Sequence, residues 1–249
     1  MTTFWEHLDE LRMVLWRCVV FTIVMTVVAF VFGEVLFDVI LAPSHSDFIV
    51  YRVYAMLGFP VEAFHVDLVN TGLARQFVLH LEVAVYTGVL MASPYILYCI
   101  FHFVSPGLYT AERHYSRLAL IAGWLMFLVG ALVAYFLVFP LTFRFLGTYQ
   151  VSAEIANYIT LDSYLDTLFV MVGTLGLVFE FPLLCYVLSR LGLIQSQQLQ
   201  RYHRHAITAV VILAAVITPT GDPFTLALTS LPMLLLYELS IVVVKRSEK

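Results

Sequence analysis

Charge is scarce in this sequence. Only 12% of the 249 residues are Asp, Glu, Lys or Arg, while 61% are hydrophobic and the mean hydropathy is +0.92. A soluble domain carries about 25% charged residues, so this composition excludes an ordinary soluble fold and predicts a protein that crosses a membrane several times. The formal net charge of -4 argues against nucleic acid as a partner.

Cysteine and catalytic motifs are also sparse. Cys18, Cys99 and Cys185 lie in apolar runs and lack metal-ligand spacing, which favours small core residues over a disulfide framework. The chain contains no HExxH zinc pair, no GxGD motif beyond a lone TGD, and no serine elbow. His203 and His205 are two residues apart and would point to different sides of a helix. The sequence therefore predicts a protein that is not an enzyme and has no cofactor.

Long apolar runs are what the chain does contain. A membrane helix needs about 20 mostly apolar residues. Residues 34–72 are predicted to form a long loop, Pro140 to end the third span, and Pro232 to break the sixth. Because little lies outside the apolar runs, residues 1–249 are expected to form a single integral membrane domain. The fold class is an all-α polytopic membrane protein with six transmembrane helices, at residues 13–33, 76–104, 118–139, 162–189, 206–217 and 224–244.

The last two runs predict a short final hairpin. Residues 206–217 give about 12 apolar positions, or roughly 18 Å of helix, against a hydrocarbon core of about 30 Å. Such a hairpin is expected to thin the bilayer locally or to lean on a partner helix. A buried re-entrant pair is the alternative.

The basic residues predict the orientation. Six spans place both termini on one side, and the positive-inside rule makes that side cytoplasmic. The acidic start and the lack of a small-residue cleavage motif predict that the first helix is retained. Ten of the thirteen Lys and Arg lie in the two tails and the even-numbered links: Arg12, Arg17, Arg113, Arg117, Arg190, Arg201, Arg204, Lys245, Arg246 and Lys249.

The first span begins with an acidic foot, which we define as Glu6, Asp9 and Glu10. These residues fall at i, i+3 and i+4, on one face of a helix. The simpler interpretation is a solvated face with one pair between Asp9 and Arg12. The first cytoplasmic link adds a second carboxylate, Glu112. Together they place anionic points on a face that otherwise attracts anionic lipid headgroups.

Glu180 lies deep in the predicted fourth span, two residues before Pro182. An acidic residue at the centre of a membrane helix costs about 2.5–3.5 kcal/mol on insertion scales, so it is a functional candidate by default. The alternative is a neutral Glu that is hydrogen-bonded to a neighbouring helix. A proton-coupled small-solute transporter would use such a carboxylate, but the sequence shows no internal repeat and no paired midplane charges.

Several motifs, in order along nearly the whole chain, resemble one family. They are HLDELR before the first span, LAP at 41–43, SPYILY and FVSPGLYTAER around the first link, FPLTFRFL, VFEFP and ITPTGDPFT. This set is similar to the TatC family, the receptor subunit of the twin-arginine protein translocase.

The resemblance implies a receptor for paired-arginine signal peptides of folded proteins. It assigns Glu10 and Glu112 as the arginine-binding pair and Glu180 as the family's intramembrane glutamate, in a concave cavity open to the bilayer. It also implies structural turns at five positions. The neighbouring motif residues expected at the signal-peptide site are His7, Leu11, Arg12, Tyr109 and Arg113; the turn positions are Pro43, Pro106, Pro182, Pro219 and Asp222.

The resemblance further implies partners and a location. Single-span TatA-type and TatB-type subunits are expected near spans four to six, together with self-association, contact with membrane lipid, and transport driven by the proton-motive force in a prokaryotic cytoplasmic membrane. Three positions depart from the family pattern: Glu82 stands where the family usually has Lys, Cys99 replaces a common Gln, and Asp222 is displaced by one residue in its turn.

Overall fold

The computed structural model is almost entirely helical. It describes residues 4–56, 58, 64, 66–104, 113–152, 157–218 and 220–248, without the side chains of 4–7, 101–102, 104 and 113–120. Within these ranges five helical segments are long and apolar enough to cross a membrane, and His203–Ile217 is a shorter apolar helix. The prediction of an all-α polytopic membrane protein is confirmed. The five segments are Leu8–Val31, Arg75–Ile100, Ile121–Thr148, Leu161–Arg190 and Pro223–Ser247.

The helices divide into two compact units, residues 1–36 with 76–125, and residues 37–75 with 126–249. In the first unit α1 (Phe4–Val31) packs against α4 (Arg75–Val104). A Cβ on Gly88 would lie 2.4 Å from the Oγ1 of Thr26, so only glycine allows this approach. The rings of Phe21 and Tyr95 lie 4.5 Å apart between their centroids.

Pro94 lies inside α4 without ending it. A helical proline has no N–H to donate to the carbonyl four residues earlier, here Leu90. The hydroxyl of Ser93 donates to that carbonyl at 2.7 Å. The helix therefore continues because a neighbouring side chain replaces the missing hydrogen bond.

The predicted long loop after the first span is partly helical, so that prediction is wrong. It contains α2 (Gly33–Leu41), a 3-10 turn (Ala42–Ser44) and α3 (Ile49–Met56). In the second unit the buried Tyr51 hydroxyl lies 3.0 Å from the carbonyl oxygen of Pro43 and 2.9 Å from that of Pro140, so it can donate to either. Burial raises the pKa of the Tyr51 phenol, so the hydroxyl keeps its proton.

The third span runs through Pro140 rather than ending there. α5 (Arg113–Val133) passes through a π turn (Ala134–Val138) into α6 (Phe139–Thr148), where Pro140 lies in the first turn and its missing N–H costs nothing. Two-residue strands β1 (Leu68–Val69) and β2 (Ile159–Thr160) pair in parallel on the way to the fourth span.

The fourth span consists of α7 (Leu161–Phe179) and α8 (Phe181–Arg190), which meet at Glu180. Asp162, in the first turn of α7, forms an ion pair with Arg75. A short helix, α9 (Ser196–Arg201), leads into α10 (His203–Ile217) and α11 (Pro223–Ser247). Pro232 lies inside a continuous α11, so the predicted break in the sixth span is wrong.

Candidate functional site

The acidic foot lies near the amino end of α1. Asp9, Glu10 and Arg12 are exposed, and Leu11 is half-buried. Glu6 and His7 belong to the same helix, but their side chains lie outside the described part of the structure. Because Asp9 and Glu10 are exposed, water can solvate their negative charge.

The second half of the expected signal-peptide site lies outside the described residues. This applies to Pro106, Tyr109 and Glu112, and Arg113 is described only as the first residue of α5. The structure therefore gives no distance between Glu10 and Glu112, and their pairing stays a prediction.

Glu180 opens onto a cavity in the second unit. The cavity has a volume of about 470 Å³. Glu180 lies between the end of α7 and the start of α8, and Pro182 lies in the first turn of α8. The Oε1 atom of Glu180 is buried and has no hydrogen-bond partner among the residues that the structure describes. The lining comes from α7, α8, α10 and α11: Leu177, Val178, Phe181, Leu184, Ala206, Ala209, Val210, Leu213, Met233, Leu236 and Tyr237.

This cavity combines an apolar wall with a single carboxyl group. Its walls match an apolar helix or acyl chain, and the unpaired Oε1 can accept or share a hydrogen bond with a polar group on such a ligand. The sequence identified Glu180, but not the α10 and α11 residues that enclose it. Those residues lie far along the chain, and no local pattern marks them.

The predicted turn residues have distinct local roles. Pro43 is buried in the 3-10 turn, and Pro182 lies in the first turn of α8. Asp222 caps α11, because its Oδ1 accepts from the Thr225 amide at 2.8 Å and its Oδ2 accepts from the Thr220 hydroxyl at 2.7 Å. Partial burial tends to raise the pKa of Asp222, but these hydrogen bonds outweigh it and hold the pKa below its ordinary value. Pro219 lies outside the described residues.

The sequence did not reveal a polar pair, His203 and Glu238, beside the cavity. His203, at the start of α10, lies with its Nδ1 3.2 Å from the Oε1 of Glu238 on α11. The Tyr237 hydroxyl donates to the Leu199 carbonyl of α9 at 2.7 Å. These contacts join α9 and the start of α10 to two neighbouring residues of α11, Tyr237 and Glu238.

Comparison with known proteins gives one consistent result. A family model described as Sec-independent protein translocase protein (TatC) matches residues 6–232. The chain is 32% identical over 248 residues to a TatC protein of Blattabacterium sp. subsp. Periplaneta americana, covering 96% of this chain and 93% of the relative. It is 34% identical over 237 residues to the TatC protein of Deinococcus radiodurans, covering 95% and 83%.

A solved structure also matches. It is described as the crystal structure of a twin arginine translocase receptor, TatC, and it shares 30% identity and a TM-score of 0.79, with 98% of this chain and 100% of the other covered. The similarity favours a component of a protein translocase over the alternative of a small-solute transporter. The chain therefore belongs to the TatC family of Sec-independent protein translocase proteins, which are integral to the prokaryotic cytoplasmic membrane and act in protein transport.

Proposed function

We propose that this chain is the receptor subunit of a twin-arginine translocase and binds the paired-arginine signal peptides of folded proteins. The observation that supports this best is the exposed carboxylate of Glu10 at the start of α1, in a chain that matches TatC proteins along its length. Glu112 is the proposed second contact, with His7, Leu11, Arg12, Tyr109 and Arg113 around the two acids.

The chemistry of arginine explains why carboxylates would serve here. The guanidinium group is planar, always charged and able to form two parallel hydrogen bonds with one carboxylate. Hydrogen bonds to charged groups contribute about 1.5–3 kcal/mol each. Two such acids can therefore distinguish arginine from lysine. The apolar part of the signal peptide adds affinity for the receptor in either case.

The Glu180 cavity is the proposed site for a single-span partner of the TatA or TatB type. Its apolar walls fit a membrane helix, and the unpaired Oε1 of Glu180 gives one polar contact within it. Glu180→Leu should reduce co-purification of such subunits, whereas Glu180→Gln should retain it. Equal recovery with both variants would remove Glu180 from the partner site.

Several copies are expected to associate, and transport is proposed to use the proton-motive force.

The receptor assignment is tested by peptide binding to the purified protein. A labelled signal peptide with paired arginines is compared with its paired-lysine version on the wild type, Glu10→Gln and Glu112→Ala. Asp9→Asn is the matched control, because it removes one exposed carboxylate from the same turn of α1.

We expect the wild type and Asp9→Asn to prefer the arginine peptide by roughly tenfold or more, since one lost charged hydrogen bond weakens binding by about that factor. Glu10→Gln and Glu112→Ala should lose this preference. A preference that survives both substitutions, or equal binding of the two peptides to the wild type, would contradict the assignment.

A further inference from the structure

The last two helices differ in length, and the difference lies at one end. α10 has 15 residues and α11 has 25, which correspond to about 22 Å and about 37 Å. Only residues 218–222 separate the end of α10 from the start of α11, so those two ends lie close together. At the other end, the pair between His203 and Glu238 puts the start of α10 level with Glu238. The remaining residues of α11, 239–247, extend about 13 Å beyond that level.

α9 occupies the space left by the short helix. The carboxylate of Glu248 accepts from the backbone amide and the hydroxyl of Ser196, both at 2.6 Å, so α9 begins at the far end of α11. Because the Leu199 carbonyl accepts a hydrogen bond from the Tyr237 hydroxyl, α9 runs back along α11 towards the start of α10. Its sequence, SQQLQR, is polar. The polar α9 therefore lies beside the last part of α11, and its inner end is about 13 Å from the end of that helix.

Two arginines lie at the inner end of this polar segment. Arg201 ends α9, Arg204 belongs to the first turn of α10, and both are exposed. In the part of the chain that the structure describes, neither arginine has a carboxylate within ion-pair distance. The nearby acids Glu238 and Glu248 are engaged by His203 and Ser196. The notch, which we define as α9, the start of α10 and the end of α11, therefore presents two exposed arginines that no carboxylate of the described residues neutralises.

We propose that the notch binds the phosphate of an anionic membrane lipid, with Arg201 and Arg204 as its ligands. A charged side chain at the depth of the acyl chains is costly unless water or headgroups reach it. A lipid phosphate drawn down to the start of α10 supplies the missing counter-charge, and guanidinium groups bind phosphate through paired hydrogen bonds. The polar face of α9 covers the path of the headgroup between the two levels.

A lipid fits this position better than a soluble anion. The site lies beside apolar membrane helices, so acyl chains can pack along α10 and α11 while the phosphate reaches the arginines. A basic surface attracts anionic lipid, and a position deeper in the membrane should increase this attraction because the surrounding medium is less polar.

The test uses the full-length protein in nanodiscs of phosphatidylcholine, with and without phosphatidylglycerol. The unfolding midpoint and the lipid retained in native mass spectrometry are measured for the wild type and for Arg201→Gln/Arg204→Gln. The matched control is Lys245→Gln/Arg246→Gln, which removes the same charge from two exposed residues at the end of α11. Inorganic phosphate added to phosphatidylcholine nanodiscs separates a lipid from a free anion.

We expect phosphatidylglycerol to raise the midpoint and to remain bound in the wild type and the control, and both effects to be lost in the arginine variant. Equal retention by the arginine variant, equal loss in the control, or the same midpoint shift with inorganic phosphate alone would each overturn the proposal. If the double variant does not unfold cooperatively in phosphatidylcholine, Arg201→Gln and Arg204→Gln are measured separately, and no loss in either overturns it as well.

Discussion

At the residue scale, Asp222 shows how one carboxylate starts a membrane helix. It accepts from the Thr225 amide and thereby satisfies a donor at the start of α11. Asp222→Ala should lower the free energy of unfolding by about 1 kcal/mol, while Asp222→Asn should cost less, because Asn is also a good cap. The unfolding midpoint in detergent measures both changes.

The same residue predicts a pH dependence. Its folded pKa lies below the ordinary value of 3.8, so its stabilising effect is complete above that value and is lost as the pH falls through the folded pKa. The difference in midpoint between the wild type and Asp222→Ala should therefore shrink in strong acid. A difference that stays constant down to the acid limit of the protein would show that the cap does not depend on charge.

At the element scale, two glycines on neighbouring helices of the second unit should respond in opposite ways. A Cβ on Gly130 of α5 would lie 2.6 Å from the carbonyl oxygen of Leu175 on α7. Among the described residues, a Cβ on Gly173 of α7 would meet no neighbouring atom within 4 Å. Gly130→Ala should destabilise by about 1–3 kcal/mol through overpacking. Gly173→Ala should be neutral or stabilising by up to about 1 kcal/mol, because alanine favours the helix. Unfolding midpoints that fall equally in both variants would contradict this packing.

The elements that the sequence predicts well are those with long apolar runs, because burial in lipid requires length and composition that can be counted directly. The predictions for Pro140 and Pro232 failed, because a single proline in the sequence does not show where it falls within a helix. Pro140 lies in a first helical turn, where its missing N–H costs nothing, and Pro232 lies inside a continuous α11. The short helices α2 and α3 were missed because their length is too small to produce a clear apolar period.

At the scale of the whole molecule, the orientation in the membrane is predicted from the distribution of Lys and Arg alone. In a variant without native cysteines, Leu73→Cys should react with an impermeant maleimide from outside the cell, and Leu193→Cys should react only after the membrane is opened. Both positions are exposed, so accessibility does not limit labelling. The reverse pattern would invert the orientation given by the positive-inside rule.

The candidate site was only partly predictable at this scale. Glu180 stands out in the sequence because a carboxylate in an apolar run is costly. The apolar wall around it and the notch beside α9 depend on which helices meet, and Leu177, Leu213 and Met233 come together only in the folded chain.

The shortness of α10 has an electrical consequence. If headgroups follow the ends of this helix, the insulating layer beside it narrows from about 30 Å to about 22 Å. The membrane potential then falls over a shorter distance, so the local electric field becomes stronger by roughly a third. A charged group that moves along α10 would therefore experience a stronger electrical force than it would in the undisturbed bilayer.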